Sequence, residues 1–384
     1  MGQSRQLTLS PARRALPKVK RLVVKVGSGL ISSAAAGGLD PDRIGALGDE
    51  LAALANDGKE VVLVSSGAIA SGMARLGLTR RPRSIPEKQA AAAVGQSALM
   101  WHYEQAFARY GIRVAQVLLT QEDISQRSRY LNARNTLQAL LGFHVLPIVN
   151  ENDTVAVEEI KVGDNDNLAA LVAHLIDADL LVLLTDVDGL YTGDPRRDQG
   201  ARRLETVEAV TAEIERLVWD AEGQVSVGGM STKLEAAQKA ISSGIPMVIA
   251  SGREPGTLRR VLRGEPVGTY FVPKGDRLAA RKRWIAFAVP PQGRLTVDAG
   301  ARSALTDRGK SLLPSGVVDV EGEFHAGEVV SLTAVDGKEF ARGLTNYDAA
   351  ELRKIRGAKT AALEERLGYK SFDEVIHRDN LVLL

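Results

Sequence analysis

Two lysines stand where folding alone gives little reason for one. Lys25 comes near the end of the β-branched run Arg21–Val26, and Gly27-Ser28-Gly29 follows as a tight turn whose N–H groups suit an anion. Lys233 falls in the first turn of a predicted helix opened by Val227-Gly228-Gly229-Met230-Ser231-Thr232. A cation there opposes the helix dipole, which favours acidic side chains at that end. With two glycines and two hydroxyls beside it, the arrangement makes most sense with an anion between the lysine and the helix. Two more turns follow predicted strands: Ser65-Ser66-Gly67-Ala68, and Thr185-Asp186 leading to Gly189-Leu190-Tyr191. Taken singly, each has a plain structural reading as a strand-edge charge or a flexible turn. Together they place two lysines and several anion-friendly turns at the carboxyl edge of one sheet.

The densest polar stretch lies between them, from Asn150 to His174. Asn150, Glu151, Asn152 and Asp153 follow the apolar run Val145–Val149, which reads as a buried strand. Asp164, Asn165, Asp166 and Asn167 precede a predicted helix, Leu168–Ile176. Asp and Asn are also the ordinary residues of caps and turns. Eight polar residues in two blocks, joined by an expected hairpin over 155–162, exceed what capping requires. The stretch reads as a substrate pocket, since open α/β sheets bind ligands at strand ends and helix N-termini.

These parts suit phosphoryl transfer to an anionic acceptor. A carboxylate acceptor is already ionised at neutral pH and needs no general base. The difficulty is bringing two anions together, so catalysis is positioning and charge neutralisation. Two lysines and Mg²⁺ supply the positive charge, and an Asp near both would hold the ammonium groups in place. An Asp-rich pocket also suits an acceptor that bears an amine. Histidines 102, 144, 174, 325 and 377 show no ligand spacing, and no Ser-His-Asp arrangement is legible. Arg308-Gly309-Lys310-Ser311 matches the end of a Walker A sequence, but Ala304 replaces its first glycine, and it reads as a polar loop.

The elements that must position these groups alternate regularly. Apolar strands are expected at 21–26, 60–64, 114–118, 145–149, 180–184 and 246–250. Helices are expected from Pro41 to about Ala55, after Gly67, and over 87–109, 127–141, 206–218 and 232–242. The pattern predicts an α/β domain with a mostly parallel sheet sandwiched by helices. Residues 1–20 read as an N-terminal extension, 21–273 as this domain and 274–289 as a basic linker. Residues 290–384 read as a small β-rich second domain with its tail. A length of 384 residues allows two or three domains, and 45% apolar with 25% charged residues is ordinary for a globular chain with a real core. The formal charge of +2 gives no global argument for nucleic acid or membrane, and the lack of cysteine removes disulfides, thiolate metal sites and a Cys nucleophile. No secretory signal or membrane-length apolar run is present, so a cytoplasmic location is expected.

Lys25-Val-Gly-Ser, Val64-Ser-Ser-Gly-Ala-Ile-Ala70, Asn150-Glu-Asn-Asp153, Ile160-Lys-Val-Gly-Asp-Asn-Asp-Asn167, Leu184-Thr-Asp186 with Gly189-Leu-Tyr191, and Gly228-Gly-Met-Ser-Thr-Lys233 resemble the glutamate 5-kinase family of the amino acid kinase fold. The likeness runs in order over roughly 21–271. Leu312-Leu-Pro-Ser-Gly316 and Phe324-His-Ala-Gly-Glu328 resemble a PUA domain. The resemblance implies ATP-dependent phosphorylation of the glutamate γ-carboxylate, the first step of proline biosynthesis, with proline inhibiting at the glutamate site. It implies Lys25 and Lys233 on the transferring phosphoryl group and Asp166 orienting both. Ser66, Asp153 and Asn165 would bind glutamate, with Asp164 and Asn150 close by. Thr185, Asp186 and the run Val227, Gly228, Gly229, Met230, Ser231, Thr232 and Lys233 would hold ATP, with Mg²⁺ bound mainly through the ATP phosphates and no protein metal ligand. A homo-oligomer, dimer or tetramer, is the family's habit, and the next enzyme of proline synthesis is a further partner to expect.

Three features depart from the family pattern. Val227 stands where a threonine is expected, residues 32–39 are Ala/Gly-rich, and the basic N-terminal twenty residues lie outside the likeness. Two other readings compete with it. Another amino acid kinase, acting on aspartate, N-acetylglutamate, carbamate or a nucleotide monophosphate, would share the two lysines, because fold and phosphate site alone do not set the acceptor. An RNA-binding protein acting through the PUA-like domain is the other, against which the near-zero net charge argues.

Overall fold

The computed structural model describes residues 11–33, 38–80, 82–156, 165–193, 198, 200–219, 229–275, 290–369 and 372–384. The chain divides into two compact units, the first running to Lys274 apart from Ser125–Asn132, the second from Gly275 onward. The first unit opens with β1 (Arg21–Val26), α1 (Ser28–Ile31), the short pair β2 (Ser32–Ser33) and β3 (Gly38–Leu39), and α2 (Pro41–Asn56). There follow β4 (Glu60–Ser65), α3 (Ala68–Arg75), α4 (Ile85–Ala108), β5 (Val114–Leu119), α5 (Gln121–Ser125), α6 (Arg127–Gly142) and β6 (Leu146–Glu151). The rest comprises α7 (Asn165–Leu175), β7 (Leu180–Thr185), β8 (Thr206–Val207), α8 (Ala212–Trp219), α9 (Met230–Ser242), β9 (Met247–Ser251), α10 (Thr257–Leu262) and β10 (Thr269–Phe271).

Among the described residues an eight-stranded sheet runs in the order β5-β6-β4-β1-β7-β9-β10-β8. Its pairings are parallel except that between β9 and β10. Strands β6, β7 and β9 are buried along their whole length, which is why they read as near-continuous apolar runs. Because β1 lies between β4 and β7, Lys25 sits opposite Val64 on one side and Leu183 on the other. The carboxyl ends of these parallel strands therefore bring Lys25, the Ser65-Ser66 turn and Thr185 to one edge. Strand β6, on the far side of β4, brings Asn150 and Glu151 to the same edge.

Helix starts follow local chemistry. Asp40 caps α2 by accepting from the backbone N–H of Asp42 and Arg43, with Pro41 in the first turn. Ser84 and Glu87 form a reciprocal capping box at α4. Gly67 precedes α3 at φ +117°, in the left-handed region, so the turn after β4 depends on a residue without a Cβ. Helices α3 and α4 approach so closely that a Cβ on Gly72 would lie 1.7 Å from the Ala91 carbonyl oxygen, and one on Gly95 1.8 Å from that of Ala68. This contact seats α3, and with it the Ser66-Gly67 turn.

The structure corrects several expected boundaries. The residues expected at the start of a helix over 206–218 instead form β8, which pairs with β10, and α8 begins at Ala212. Their alternating burial against β10 overrides a helical reading. Helix α7 begins at Asn165, three residues before the predicted start, so Asn165, Asp166 and Asn167 belong to its first turn. Antiparallel β10 was not expected. Leu16 and Val19, in the segment read as an extension, are buried in the core of the first unit. The expected hairpin at 155–162 lies almost wholly outside the described residues, as does the basic linker beyond Gly275.

The second unit contains a five-stranded sheet in the order β12-β11-β13-β14-β15, with β11 (Gly293–Val297), β12 (Val317–Gly322), β13 (Val329–Ala334), β14 (Glu339–Leu344) and β15 (Leu381–Leu383). Leu295, Leu332, Tyr347 and Leu352 lie in its core. The segment Arg308–Ser311 is a loop after the helix Ala299–Thr306, as its sequence context predicted.

Gly95→Ala is expected to destabilise the protein by about 3 kcal/mol, since the added Cβ meets fixed backbone and the two helices must part. A chemical-denaturation midpoint unchanged from the parent protein would show that the α3–α4 approach is not required.

Candidate active site

The centre of the site is a buried ion triad. Asp166, in the first turn of α7, is 1% exposed, and Lys25 and Lys233 are 7% and 6% exposed. Lys25 Nζ lies 2.5 Å from Asp166 Oδ1, and Lys233 Nζ lies 3.2 Å from Asp166 Oδ2. Thr232 donates through Oγ1 to the same Oδ2 at 2.9 Å. Burial alone would raise the Asp166 carboxyl, but Lys25 and then Lys233, with hydrogen bonds from Lys25 and Thr232, hold it below the ordinary carboxylate range. The carboxylate is therefore ionised at neutral pH. Two ammonium groups against one carboxylate leave a net positive charge, and all three side chains come from different parts of the fold.

Lys233 meets the unfavourable end of the α9 dipole, as the sequence indicated. It is held there by Asp166 and by the Gly229 carbonyl, to which Nζ donates at 3.3 Å. Gly229 is the residue before the helix, in an extended conformation, and its carbonyl also accepts from Thr232 Oγ1 at 2.9 Å.

A cleft of about 550 Å³ opens over the triad. Lys25, Lys233, Ser66, Asn150, Asp153, Asn165, Thr185 and Asp186 all line it, together with Glu151 and Gly27–Gly29, which form the start of α1 and not the expected tight turn. On one side, Asn165 donates through Nδ2 to Ser66 Oγ at 2.7 Å and to Asn150 Oδ1 at 3.0 Å. Its own Oδ1 is buried and accepts no hydrogen bond among the described residues. Asn150 in turn donates to Gln96 Oε1 at 2.9 Å, and Gln96 donates to Gln116 Oε1 at 3.3 Å. This chain of amides fixes the rotamers of Asn150 and Asn165, because each buried amide needs its neighbour in one orientation. Asp153 stands at the cleft wall, and burial pushes its carboxyl up to about 6. On the other side, Thr185 is buried and donates to Asp186, which is exposed.

The cleft thus brings together most of the residues singled out by sequence. Asp164, Val227 and Gly228 lie outside the described residues, and Met230 and Ser231 are the first residues of α9. Gln96 and Gln116 escaped the sequence reading. Gln96 is buried, but a polar residue inside an Ala-rich helix is indistinguishable from a surface position without the tertiary fold, and Gln116 is exposed on β5, so its residue type gives no signal. Among the described residues, no group of three His, Asp or Glu could hold a metal ion, and no helix is long and apolar enough to cross a membrane.

A parallel, helix-covered sheet with a lysine-rich cleft at its carboxyl edge defines a class of phosphotransferase, and the comparisons agree. The model of the amino acid kinase family matches residues 20–251, and that of the PUA domain matches residues 293–367. A glutamate 5-kinase of Myxococcus xanthus is 55% identical over 377 residues, covering 98% of this chain and 100% of that protein. The glutamate 5-kinases of Moorella thermoacetica and Geobacter sp. (strain M21) are 53% and 52% identical, covering 98% and 97% of this chain and all of their own length. The chain belongs to the amino acid kinase family, among the glutamate 5-kinases, and is an enzyme carrying a C-terminal PUA domain.

The triad has an asymmetric energetic consequence. Asp166→Ala strands two buried ammonium groups and is expected to cost about 3–5 kcal/mol of stability, whereas Lys25→Ala or Lys233→Ala leaves the carboxylate one cation and costs less than half as much. Because the Asp166 carboxyl is held low, this contribution is fully present above the ordinary Asp value of 3.8 and is lost as pH falls from there through the lower folded-state value. Urea titrations at pH 7 and pH 2.5 check both statements; equal losses for the three variants at pH 7 would contradict the triad.

Proposed function

We propose that this enzyme transfers the γ-phosphoryl group of ATP to the γ-carboxylate of L-glutamate, giving L-glutamyl 5-phosphate and ADP, as the first step of proline biosynthesis. The observation that carries the reading is the Lys25–Asp166–Lys233 triad, set between an amide- and carboxylate-lined half of the cleft and the Thr185–Asp186 turn. A γ-carboxylate oxygen attacks the γ-phosphorus, the bond to the β,γ-bridging oxygen breaks, and ADP leaves. No proton has to be removed from the nucleophile. The chain's task is to hold two anions in line and offset their charge.

Lys25 and Lys233 contact the transferring phosphoryl group and neutralise its charge, while Asp166 keeps both ammonium groups in register. The Gly27–Gly29 segment offers backbone N–H groups on the same side. Ser66, Asn150, Asn165 and Asp153 bind glutamate, with Asp164 beside them. The unpartnered Asn165 Oδ1 and the Asp153 carboxylate suit the α-ammonium group of glutamate, which is the feature that distinguishes it from acylated acceptors. Thr185, Asp186 and the segment 227–233 hold ATP. The site fits a polyphosphate, since the triad is net positive and buried. Mg²⁺, held through the ATP phosphates, supplies further charge neutralisation. Proline, which shares the α-carboxylate and cationic nitrogen, binds in the same half of the cleft and inhibits. We place the enzyme in the cytoplasm as a homo-oligomer.

Trapping of the acyl phosphate with hydroxylamine tests the assignment. With Mg-ATP, hydroxamate is expected from glutamate and not from aspartate or N-acetylglutamate, and it should decrease on addition of proline. Signal from another acceptor alone would refute the glutamate reading. Lys25→Ala and Lys233→Ala are each expected to lower kcat by about 100-fold or more while circular dichroism stays unchanged.

Asp153 gives a pH-dependent test. Its carboxyl titrates near 6 in the free protein, and an ammonium ligand favours the ionised form, so glutamate affinity is expected to rise as pH increases from 5 to 7. The raised value also means that the free protein loses stability from this residue between the ordinary Asp value of 3.8 and about 6, as the buried carboxyl ionises. Asp153→Asn is therefore expected to raise the melting temperature of the free protein above pH 6 while weakening glutamate binding and flattening its pH profile. Calorimetric titration with glutamate, without nucleotide, measures the affinity; a profile unchanged by the substitution would remove Asp153 from the site.

A further inference from the structure

Arg13 is 2% exposed and heads the largest fully buried side chains, yet it belongs to the basic segment before β1. No carboxylate pairs with it among the described residues. Instead its guanidinium donates to four backbone carbonyls: NH1 to Glu265 and Val267, both at 2.9 Å, and NH2 to Glu205 at 3.0 Å and Gly268 at 3.1 Å. It also lies over the Tyr270 ring, 5.5 Å from the centroid. A buried, permanently charged fork whose hydrogen bonds all go to backbone carbonyls, with the Tyr270 ring and the nearby Glu205 charge beside it, is a costly arrangement to retain as filler.

The carbonyls it gathers belong to two places. Glu265, Val267 and Gly268 form the loop between α10 and β10. Glu205 ends the long excursion that leaves β7 at Thr185-Asp186, on the wall of the cleft, and returns at β8. That excursion is tied down at several points. Leu190 N donates to Thr269 Oγ1 at 2.8 Å, Thr269 Oγ1 donates to the Leu204 carbonyl at 2.6 Å, and Leu204 N donates to the Leu190 carbonyl at 2.8 Å. Arg13 closes the outer end of the set, because the Glu205 carbonyl accepts both from Arg13 and from Tyr270 N at 3.0 Å.

We propose that Arg13 is a positioning residue for the nucleotide half of the cleft, a guanidinium clamp that fixes the returning end of the Thr185–Glu205 excursion to the β10 loop and so holds Thr185 and Asp186 in place for ATP. The clamp rests on the reading that Thr185 and Asp186 face the nucleotide. It leaves the glutamate half untouched, since Ser66, Asn150 and Asn165 are held by the separate amide chain. The N-terminal segment then contributes to catalysis from outside the cleft.

The test compares Arg13→Ala, Arg13→Lys and Thr269→Val with the parent enzyme, using calorimetric titration with the magnesium complex of a non-hydrolysable ATP analogue and steady-state kinetics for both substrates. Arg13→Ala is expected to weaken the analogue and raise the KM for ATP by about fivefold or more, with the KM for glutamate within about twofold of the parent value. Arg13→Lys, which keeps the charge but not the fork, is expected to fall between them. Thr269→Val, cutting the neighbouring tie, should weaken the same ligand and not glutamate. Guanidinium chloride at about 50 mM, matched against sodium chloride, is expected to restore nucleotide affinity to Arg13→Ala by refilling the carbonyl cage, and to leave the parent enzyme unchanged. Equal rises in both KM values, or lowered stability with nucleotide affinity intact, would overturn the clamp, as would the absence of guanidinium rescue. If the parent enzyme binds the nucleotide but forms no glutamyl phosphate, the acceptor assignment fails while the clamp is still judged by the binding data. If Arg13→Ala binds nucleotide like the parent enzyme, the clamp fails and the acceptor assignment stands.

Discussion

A single buried carboxylate shared by two buried ammonium groups is the constraint on which the rest of this site depends. Removing either lysine leaves Asp166 one cation, whereas removing Asp166 takes the shared counter-charge from both buried ammonium groups at once. The fold must deliver β1, the start of α7 and the start of α9 to one point within hydrogen-bonding distance. In return it holds a net positive charge in a partly desolvated cleft before any substrate arrives. That is the preorganisation that a reaction between two anions requires, since no water has to reorient as charge shifts along the transferring phosphoryl group.

The two halves of the cleft are held by different physics. The Ser66 side depends on close packing and on amides. Helices α3 and α4 meet backbone to backbone at Gly72 and Gly95, which seats the Ser66-Gly67 turn, and the Gln116–Gln96–Asn150–Asn165 chain then sets the direction of each buried amide. Among the described residues Asn165 Oδ1 accepts no hydrogen bond, and the Asp153 carboxyl is held in a desolvated position. Both are costs in the free protein that a ligand carrying an ammonium group relieves, so affinity is bought with stability at these two residues. On the Thr185 side, the segment after β7 is hydrogen-bonded to β10 and its flanking loop through Thr269 and Arg13.

How much of this was legible beforehand follows from range in the chain. Local signals read correctly: the Asp40-Pro41 start of α2, the apolar runs that became β1, β4, β6, β7 and β9, and the clustering of Asp and Asn around 150–167. Short-range chemistry dominates there, because caps, turns and buried parallel strands impose their residue types within a few positions. The boundary errors arose where tertiary pairing outweighed local pattern. Thr206-Val207 became a strand because β10 was available to pair with it, and α7 began early because Asn165 and Asp166 are stabilised by partners 66 to 141 residues away in the chain.

The sequence by itself determined the parts: two lysines against their expected places, polar blocks at a strand end and a helix start, and glycine turns at the edge of a parallel sheet. Their residue types carry the chemistry, and residue type is written one position at a time. Only the tertiary structure decided the distances. That both lysines share one carboxylate, that Gln96 stands behind Asn150, and that Arg13 reaches four carbonyls far along the chain are consequences of strand order and helix packing. Hydrogen bonds and ion pairs fall off within a few ångströms, so which groups meet is settled by the fold and by no spacing in the sequence.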